Sequence, residues 1–188
     1  FYVFFAGIFS CAVAQIQVNE FFADNGDCCL DDFNETEDFL ELINLGPSPI
    51  DLAGYFFGDQ DGGTTIQSGY PEITTISSGG VLVLWYDNDP DQGPLHIEAK
   101  LNNDGENIIG IDPEGNTIID IVYGAQSEDV SFAALPDGEL YDTNWSLTMC
   151  PTPGEFNTSC PLVEGCTSIN ATNYSLNATI EDGSCVFG

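Results

Sequence analysis

The sequence predicts an all-β protein, a sandwich or a barrel, from three observations. Short apolar runs recur along the chain, clusters of Gly, Pro, Asn and Asp separate them, and no segment sustains a helical period of 3.6 residues. Turn clusters such as GDQDGG, DNDPDQGP and DPEGN lie between the runs, where they favour reversal of the chain. The predicted strands lie within residues 16–23, 38–45, 55–58, 81–86, 107–111, 117–123 and 130–135.

Residues 1–14, FYVFFAGIFSCAVA, form an uncharged segment before the first predicted strand. The segment has the length of a signal-peptide core, and Ala12-Val13-Ala14 before Gln15 resembles a signal-peptidase site. It is shorter than the roughly 20 apolar residues that a membrane-spanning helix needs. If the segment is retained, its aromatic and β-branched residues favour a strand that is buried on both faces. Both interpretations, a signal remnant and a donated strand, stay open here.

The body of the chain, residues 15–157, contains blocks that occur together in a known family. These blocks are VNEFFADNGD, DFLELINLGPSPIDLAGYFFGD, TTISSGGVLVLWYDND, LNNDGENIIGIDPEGNTIIDIVYGAQSEDVSFAALPDGE and PTPGEFN. Together they resemble a lamin tail domain from about Ile16 to Asn157, in the version found in secreted bacterial surface proteins. The resemblance implies an immunoglobulin-like β-sandwich that acts as a structural and interaction module without a catalytic site of its own. The insertion CCLDDFNETE, residues 28–37, departs from the family pattern.

The last predicted unit, residues 158–188, is a short cysteine-bounded motif. GCTSINATNYSLNATIEDGSC resembles an element with the consensus GCTDPxAxNYxPxAxxDDGSC, found near the C-termini of secreted proteins. Ser168 and Ser175 replace two acidic residues of that pattern, which weakens any cation site carried over from it. We expect a small tab that depends on a disulfide bond, because so short a segment cannot bury a core.

The seven cysteines indicate an oxidising compartment, and therefore a secreted or cell-surface protein. Cys166 and Cys185 bracket the tab and are predicted to pair. A direct bond between the adjacent Cys28 and Cys29 is disfavoured by geometry, so each is expected to reach Cys150 or Cys160. Sequons for N-linked glycans, which would lie on exposed loops, occur at Asn34, Asn144, Asn157, Asn170, Asn173 and Asn177.

The charge balance is extreme, with one Lys or Arg against 31 Asp and Glu and a formal net charge of −30. Nucleic acid is excluded as a partner because phosphate binding needs clustered basic residues, and an anionic membrane surface is excluded for the same reason. Such a chain is expected to need counter-ions, and the acidic turns offer the oxygen ligands that Ca²⁺ prefers. The predicted Ca²⁺ ligands are Asp24, Asp27, Asp31, Asp59, Asp61, Asp87, Asp89, Asp91 and Asp182. Solvated turns without metal are the alternative for each of them.

Three further residues carry separate expectations. Glu20 and Glu41 lie inside apolar runs, so each either faces solvent or is paired, and a chain with one Lys can supply few ion pairs. A backbone N–H or a metal is therefore the expected partner of either carboxylate if it is buried. His96 has no nearby cysteine and is expected to lie at the rim of the fold.

Together these features predict a non-enzymatic extracellular module with a structural or adhesive role. It would self-associate, as the repeating subunit of a filament built by donation of residues 1–14 to a neighbour and stabilised by Ca²⁺. The alternative is a non-catalytic accessory domain of a secreted nuclease, phosphatase or carbohydrate-active enzyme. A catalytic domain joined to this chain in the parent gene would favour that alternative.

Overall fold

The structure is a computed structural model that describes residues 15–161, 163–175, 178 and 180–188. The predictions that concern residues 1–14 therefore lie outside the described residues. The elements of the sandwich run β1 (Ile16–Phe22), β2 (Asp38–Asn44), β3 (Ile50–Asp51), β4 (Phe56–Gly58), β5 (Gly63–Thr65), α1 (Pro71–Thr74), β6 (Thr75–Ile76), β7 (Val81–Tyr86), a 3₁₀ turn η1 (Pro90–Gln92), β8 (His96–Ile97), β9 (Asn107–Ile111), β10 (Thr117–Val122), β11 (Ser131–Ala134) and β12 (Trp145–Thr148). The C-terminal motif adds β13 (Glu164–Gly165) and β14 (Ile180–Glu181).

The larger sheet runs β12-β11-β1-β2-β7-β8, counting only strands within the described residues. Neighbouring strands of this sheet are antiparallel, except for the parallel pair β7 and β8. Ile16 pairs with Asn44 and Phe22 pairs with Phe39, so the chain enters β1 at one pole of the sandwich. The insertion after β1 therefore lies at the opposite pole. This arrangement places β12 and β8 at the two edges of the sheet.

The smaller sheet runs β10-β9-β4-β5 and forms the second layer of an immunoglobulin-like β-sandwich. Its β9–β10 hairpin turns at Asp112–Asn116, where Asn116 N donates to Asp112 Oδ1 at 2.7 Å. The β4–β5 hairpin brings Gly58 against Gly62, and a Cβ on Gly58 would lie 2.1 Å from the Gly62 carbonyl oxygen. A side chain at Gly58 would thus prevent this tight turn.

The core between the sheets is built from fully buried apolar side chains on the inward faces of the strands. Phe21, Leu40 and Leu84 contribute from the large sheet, and Phe57 and Ile108 contribute from the small one. Successive side chains of a strand point to opposite faces. Phe22, Phe39 and Trp85 consequently form a second cluster on the outer face of the large sheet, and Cys29 packs against it.

The structure forms the Cys166–Cys185 bond that the sequence predicts, around the parallel pair β13 and β14. The expectation for the other cysteines is wrong: Cys28 bonds Cys29, and Cys150 bonds Cys160. Cys29 packs over β1, β2 and β7, whereas Cys150 follows β12 at the sheet edge. β11 lies between β12 and β1, and adjacent strands are about 4.8 Å apart. The two pairs are therefore farther apart than the roughly 7 Å that a disulfide spans.

No helix among the described residues has the length and apolarity needed to cross a bilayer. The helical segments there are α1 and η1, each of a single turn.

Candidate functional site

Glu20 and Glu41 are fully buried and lie directly opposite each other on β1 and β2. Burial is the main cause that raises the pKa of both carboxyl groups, and it raises that of Glu41 to about 8. The negative charge of Asp137 raises both pKa values further. Glu41 therefore carries a proton at neutral pH, which avoids the cost of an unpaired buried charge.

The partners of these two carboxyl groups come from the segment that follows β12. Thr152 donates to Glu20 Oε2 from its backbone N at 3.0 Å and from its hydroxyl at 3.2 Å, while Gly154 N donates to Glu41 Oε2 at 2.7 Å. Ser131 also bonds Glu20 through a short hydroxyl contact. The prediction that a buried Glu would use backbone N–H groups is confirmed for both residues.

Asn157 completes this arrangement, which we call the carboxylate latch (Glu20, Glu41, Thr152, Gly154 and Asn157). Its Nδ2 donates to the carbonyl oxygens of Asn19 at 2.9 Å and Ala134 at 3.0 Å. The residue is only 8% exposed. The prediction of a glycan at Asn157 is therefore wrong for the folded domain, since Nδ2 is enclosed and fully bonded. The latch fastens residues 151–157 across β1 and β11.

The remaining sequons differ in their surroundings. Asn34, Asn144 and Asn170 are exposed, as glycan acceptors must be. Asn173 is also exposed, but its Nδ2 donates to the Ser184 carbonyl oxygen at 2.8 Å and so helps to close the tab. Asn177 lies outside the described residues.

Several acidic residues predicted to bind Ca²⁺ lie at one pole of the sandwich, where they line two neighbouring clefts. We call these two clefts the acidic rim. A polar cleft of about 320 Å³ contains Asp24, and a neighbouring cleft of about 410 Å³ contains Asp59 and Asp61. Lys100 lines both clefts, and its Nζ bonds Glu37 Oε2 at 3.0 Å.

Two carboxyl groups of the acidic rim are partly withdrawn from water. Burial raises the pKa of Asp38 to about 7 and is the main cause that raises the pKa of Glu106. Both residues line clefts that hold predicted ligands, Asp38 beside Asp24 and Glu106 beside Asp59. A divalent cation in either cleft would favour the ionised form of these groups.

Other predicted ligands serve as turn residues in separate loops. Asp59 Oδ1 accepts the Asp61 N–H at 2.6 Å, and Asp182 Oδ1 accepts the Ser184 N–H at 2.8 Å. Asp27 and Asp91 are exposed, as is Asp89, whose backbone N donates to Asp87 Oδ1 at 2.9 Å. Bonds of this kind stabilise Asx turns and need no metal.

Asp31 and Asp87 meet His96 in a buried cluster, with one ligand atom from each residue within 4.8 Å of the others. Asp31 comes from the insertion, Asp87 follows β7, and His96 begins β8. The expectation that His96 lies at the rim is wrong: it is 4% exposed, its Nδ1 makes a short contact with Asp87 Oδ2, and Phe33 packs edge-on over its ring. Phe33 of the insertion thus covers part of a residue that lies at the end of the sheet.

A second potential group joins Cys166, Glu181 and Cys185 within the part of the chain that the structure describes. Its two sulfurs are consumed by the disulfide bond, so thiolate ligation is not available there. The cluster of Asp31, Asp87 and His96 is therefore the better metal-ligating constellation of the two.

The model of the Lamin Tail Domain family matches residues 10–125 of this chain. The chain belongs to that family. The match is shorter than the span of about 16–157 that the sequence blocks suggested, and it leaves β11, β12 and the latch segment outside it. Searches of curated proteins and of solved structures found no match.

Proposed function

We propose that this protein is an extracellular structural or adhesive module that assembles through its own surfaces. The observation that carries the proposal is the carboxylate latch: two buried carboxyl groups bind the chain's own segment 151–157, as an internal fastening would. A general acid or base needs access to a substrate proton, whereas both carboxyl groups are fully buried. Membership of an immunoglobulin-like domain family supports the same role, and the disulfide bonds support an oxidising location.

The proposal includes Ca²⁺ at the acidic rim. The carboxylates and amides of Asp24, Asp59, Asp61 and Asn103 line the two clefts around Lys100. Oxygen ligands of this kind suit Ca²⁺, and a chain of net charge −30 gains stability when cations reduce its internal repulsion.

Assembly would proceed by donation of residues 1–14 to a neighbouring copy. That segment directly precedes the central strand β1 in the sequence, and β1 begins at the pole opposite the acidic rim. The receiving site in this proposal is the edge of β12 that pairs with no other strand of the described residues; Leu147 in this strand is 64% exposed, and Met149 just after it is 58% exposed. A groove of about 590 Å³ runs beside this edge. Contacts between unlike surfaces of this type propagate head to tail.

Paired variants of the full chain, with residues 1–14 retained, test this proposal. Phe4→Asp with Ile8→Asp places charge on the donated segment, and Leu147→Glu places charge on the receiving edge. Each variant should sediment as a monomer. A mixture of the two should form a dimer, because the Leu147→Glu copy still has an intact donated segment and the other copy still has an intact receiving edge. Val122→Glu, on the edge strand β10 of the other sheet, is the matched control and should assemble as the unmodified chain does.

Sedimentation velocity distinguishes the outcomes. A monomeric unmodified chain, or variants that assemble normally, would refute strand donation. A native protein that begins at Gln15 would do the same. A catalytic domain found on the same gene product would instead support the role of an accessory domain.

A further inference from the structure

We propose that Asp31, Asp87 and His96 bind one divalent transition-metal ion of the Zn²⁺ type. The three side chains supply two carboxylate oxygens and an imidazole nitrogen, all within 4.8 Å of one another. Zn²⁺ accepts oxygen and nitrogen ligands at about 2.0–2.2 Å, which places them about 3.3 Å apart in a tetrahedral site. The ion would separate the short Asp87–His96 contact and take the position between them.

An independent observation marks the cluster as a ligand site. Asp31 is 7% exposed, yet its buried Oδ2 has no hydrogen-bond partner among the residues that the structure describes. The other oxygen, Oδ1, accepts the N–H groups of Phe33 and Glu35, both at 2.8 Å. These two bonds fix the orientation of the Asp31 carboxylate. They leave Oδ2 as the oxygen that can bind a ligand. A buried acceptor without a partner destabilises the folded chain, and a bound cation would offset that cost.

Asp87 is held in place in a similar way. Asp87 Oδ1 accepts the Asp89 N–H at 2.9 Å, which leaves Oδ2 toward His96. Outer hydrogen bonds of this type orient the ligands in established metal sites. The charge also balances, because two carboxylates and a neutral imidazole match a divalent ion.

The imidazole distinguishes this cluster from the acidic rim. Ca²⁺ takes oxygen ligands, whereas imidazole favours Zn²⁺ and neighbouring transition ions. The two kinds of site would thus bind different cations in the same domain. We therefore assign Asp31 and Asp87 to the transition-metal site and leave the oxygen-only clefts to Ca²⁺.

The position of the cluster indicates what the ion would do. Asp31 belongs to the insertion, which closes on itself through the bridge between Leu30 and Thr36. Asp87 and His96 belong to the end of the large sheet. One ion would therefore cross-link the insertion to the sheet, alongside the 2.8 Å bond from Gln92 to Glu35.

Metal titration of the full chain tests the site. Every protein carries Cys11→Ser, so that a seventh cysteine cannot bind Zn²⁺, and excess Ca²⁺ occupies oxygen-only sites. Calorimetry should give one Zn²⁺ per chain. His96→Gln should weaken binding by about 100-fold or more, because loss of a direct ligand should cost at least as much as loss of an outer hydrogen-bond partner, which is about 10–100-fold. Asp91→Asn is the matched control: it removes an exposed carboxylate from the same loop and should change the affinity less than twofold.

A second measurement needs no variant of the cluster. His96 is the single histidine of the sequence, so its ring protons give an unambiguous NMR signal. Zn²⁺ should shift these signals stoichiometrically, and Co²⁺ should broaden them. Unchanged ring signals at saturating Zn²⁺, or equal affinity in the His96→Gln variant, would overturn the proposal and leave Asp87 and His96 as a plain ion pair.

Discussion

The proton on Glu41 makes the stability of this domain depend on pH in an unusual direction. The Glu41 carboxyl group accepts bonds from Asn19 Nδ2 at 2.9 Å and Gly154 N at 2.7 Å, but burial still raises its pKa from 4.5 to about 8. Between these values the folded chain holds a proton that the unfolded chain releases. The contribution to stability is complete below pH 4.5 and is lost as the pH rises through about 8.

The size of the effect follows from the pKa difference. Each pKa unit corresponds to about 1.4 kcal/mol, so the free energy of unfolding should fall by about 3 kcal/mol between pH 5.5 and pH 8 on account of Glu41. Most small acidic domains lose stability toward low pH instead, because their paired carboxylates become protonated.

Glu41→Gln isolates this contribution. The amide cannot ionise, so the variant lacks the pH dependence that Glu41 supplies, although its NH₂ group faces donors and imposes a constant cost. Urea unfolding in EDTA at fixed ionic strength, repeated from pH 5.5 to pH 8, gives both curves. We expect the advantage of the unmodified chain over the variant to shrink by about 3 kcal/mol across that range.

The control for this experiment is Glu72→Gln, an exposed residue of α1 that should follow the unmodified chain at every pH. Parallel curves for the unmodified chain and Glu41→Gln would refute the reasoning, because they would show that Glu41 titrates equally in the folded and unfolded states.

Two further predictions concern the acidic rim and the latch. Ca²⁺ at 100 times its Kd should raise the free energy of unfolding by about 2.7 kcal/mol per site. Thermal unfolding with and without EDTA, at fixed ionic strength, measures this difference. Identical midpoints would exclude Ca²⁺ binding. Asn157→Ala should lower the free energy of unfolding by about 2–4 kcal/mol, because the Asn19 and Ala134 carbonyl oxygens lose their donors, while exposed Asn144→Ala should have little effect. Denaturant unfolding of both variants checks this, and peptide mapping should find Asn157 without a glycan.

The fold was predictable because its longest strands carry their own signal. IQVNEFF and DFLELIN became β1 and β2 almost at the predicted bounds, and VLVLWY became β7. Strands of two residues, such as β3 and β8, were not predicted. Segments so short cannot show alternation, and their geometry is imposed by the strands they pair with.

The buried carboxyl groups were recognisable, but most of their partners were not. Glu20 and Glu41 attract notice as charges inside apolar runs, whereas Thr152 and Gly154 lie more than 100 residues away and bind through backbone N–H groups, which every residue except Pro has. Only the block PTPGEFN indicated that this segment belongs to the sandwich. The latch is thus a consequence of the tertiary fold.

His96 shows a different reason for a wrong prediction. Asp87 is only nine residues away, but the Pro- and Gly-rich loop between them gives no period from which contact could be inferred. Phe33, which packs against the His96 ring, lies in an insertion that departs from the family pattern. A sequence comparison limited to the family blocks therefore misses both the contact and the burial.

The scarcity of basic residues accounts for the way this domain uses its acids. Lys100 is the only basic side chain besides His96 and already bonds Glu37, so a buried carboxyl group must find another source of stabilisation. Glu41 holds a proton and accepts backbone N–H bonds, while Asp59 and Asp182 accept N–H groups within their own turns. Asp31 has a buried oxygen, Oδ2, that accepts no hydrogen bond from any of the described residues. Because Asp87 and His96 lie beside it and the three residues together offer three ligand atoms, a bound cation is the partner that we propose for this oxygen.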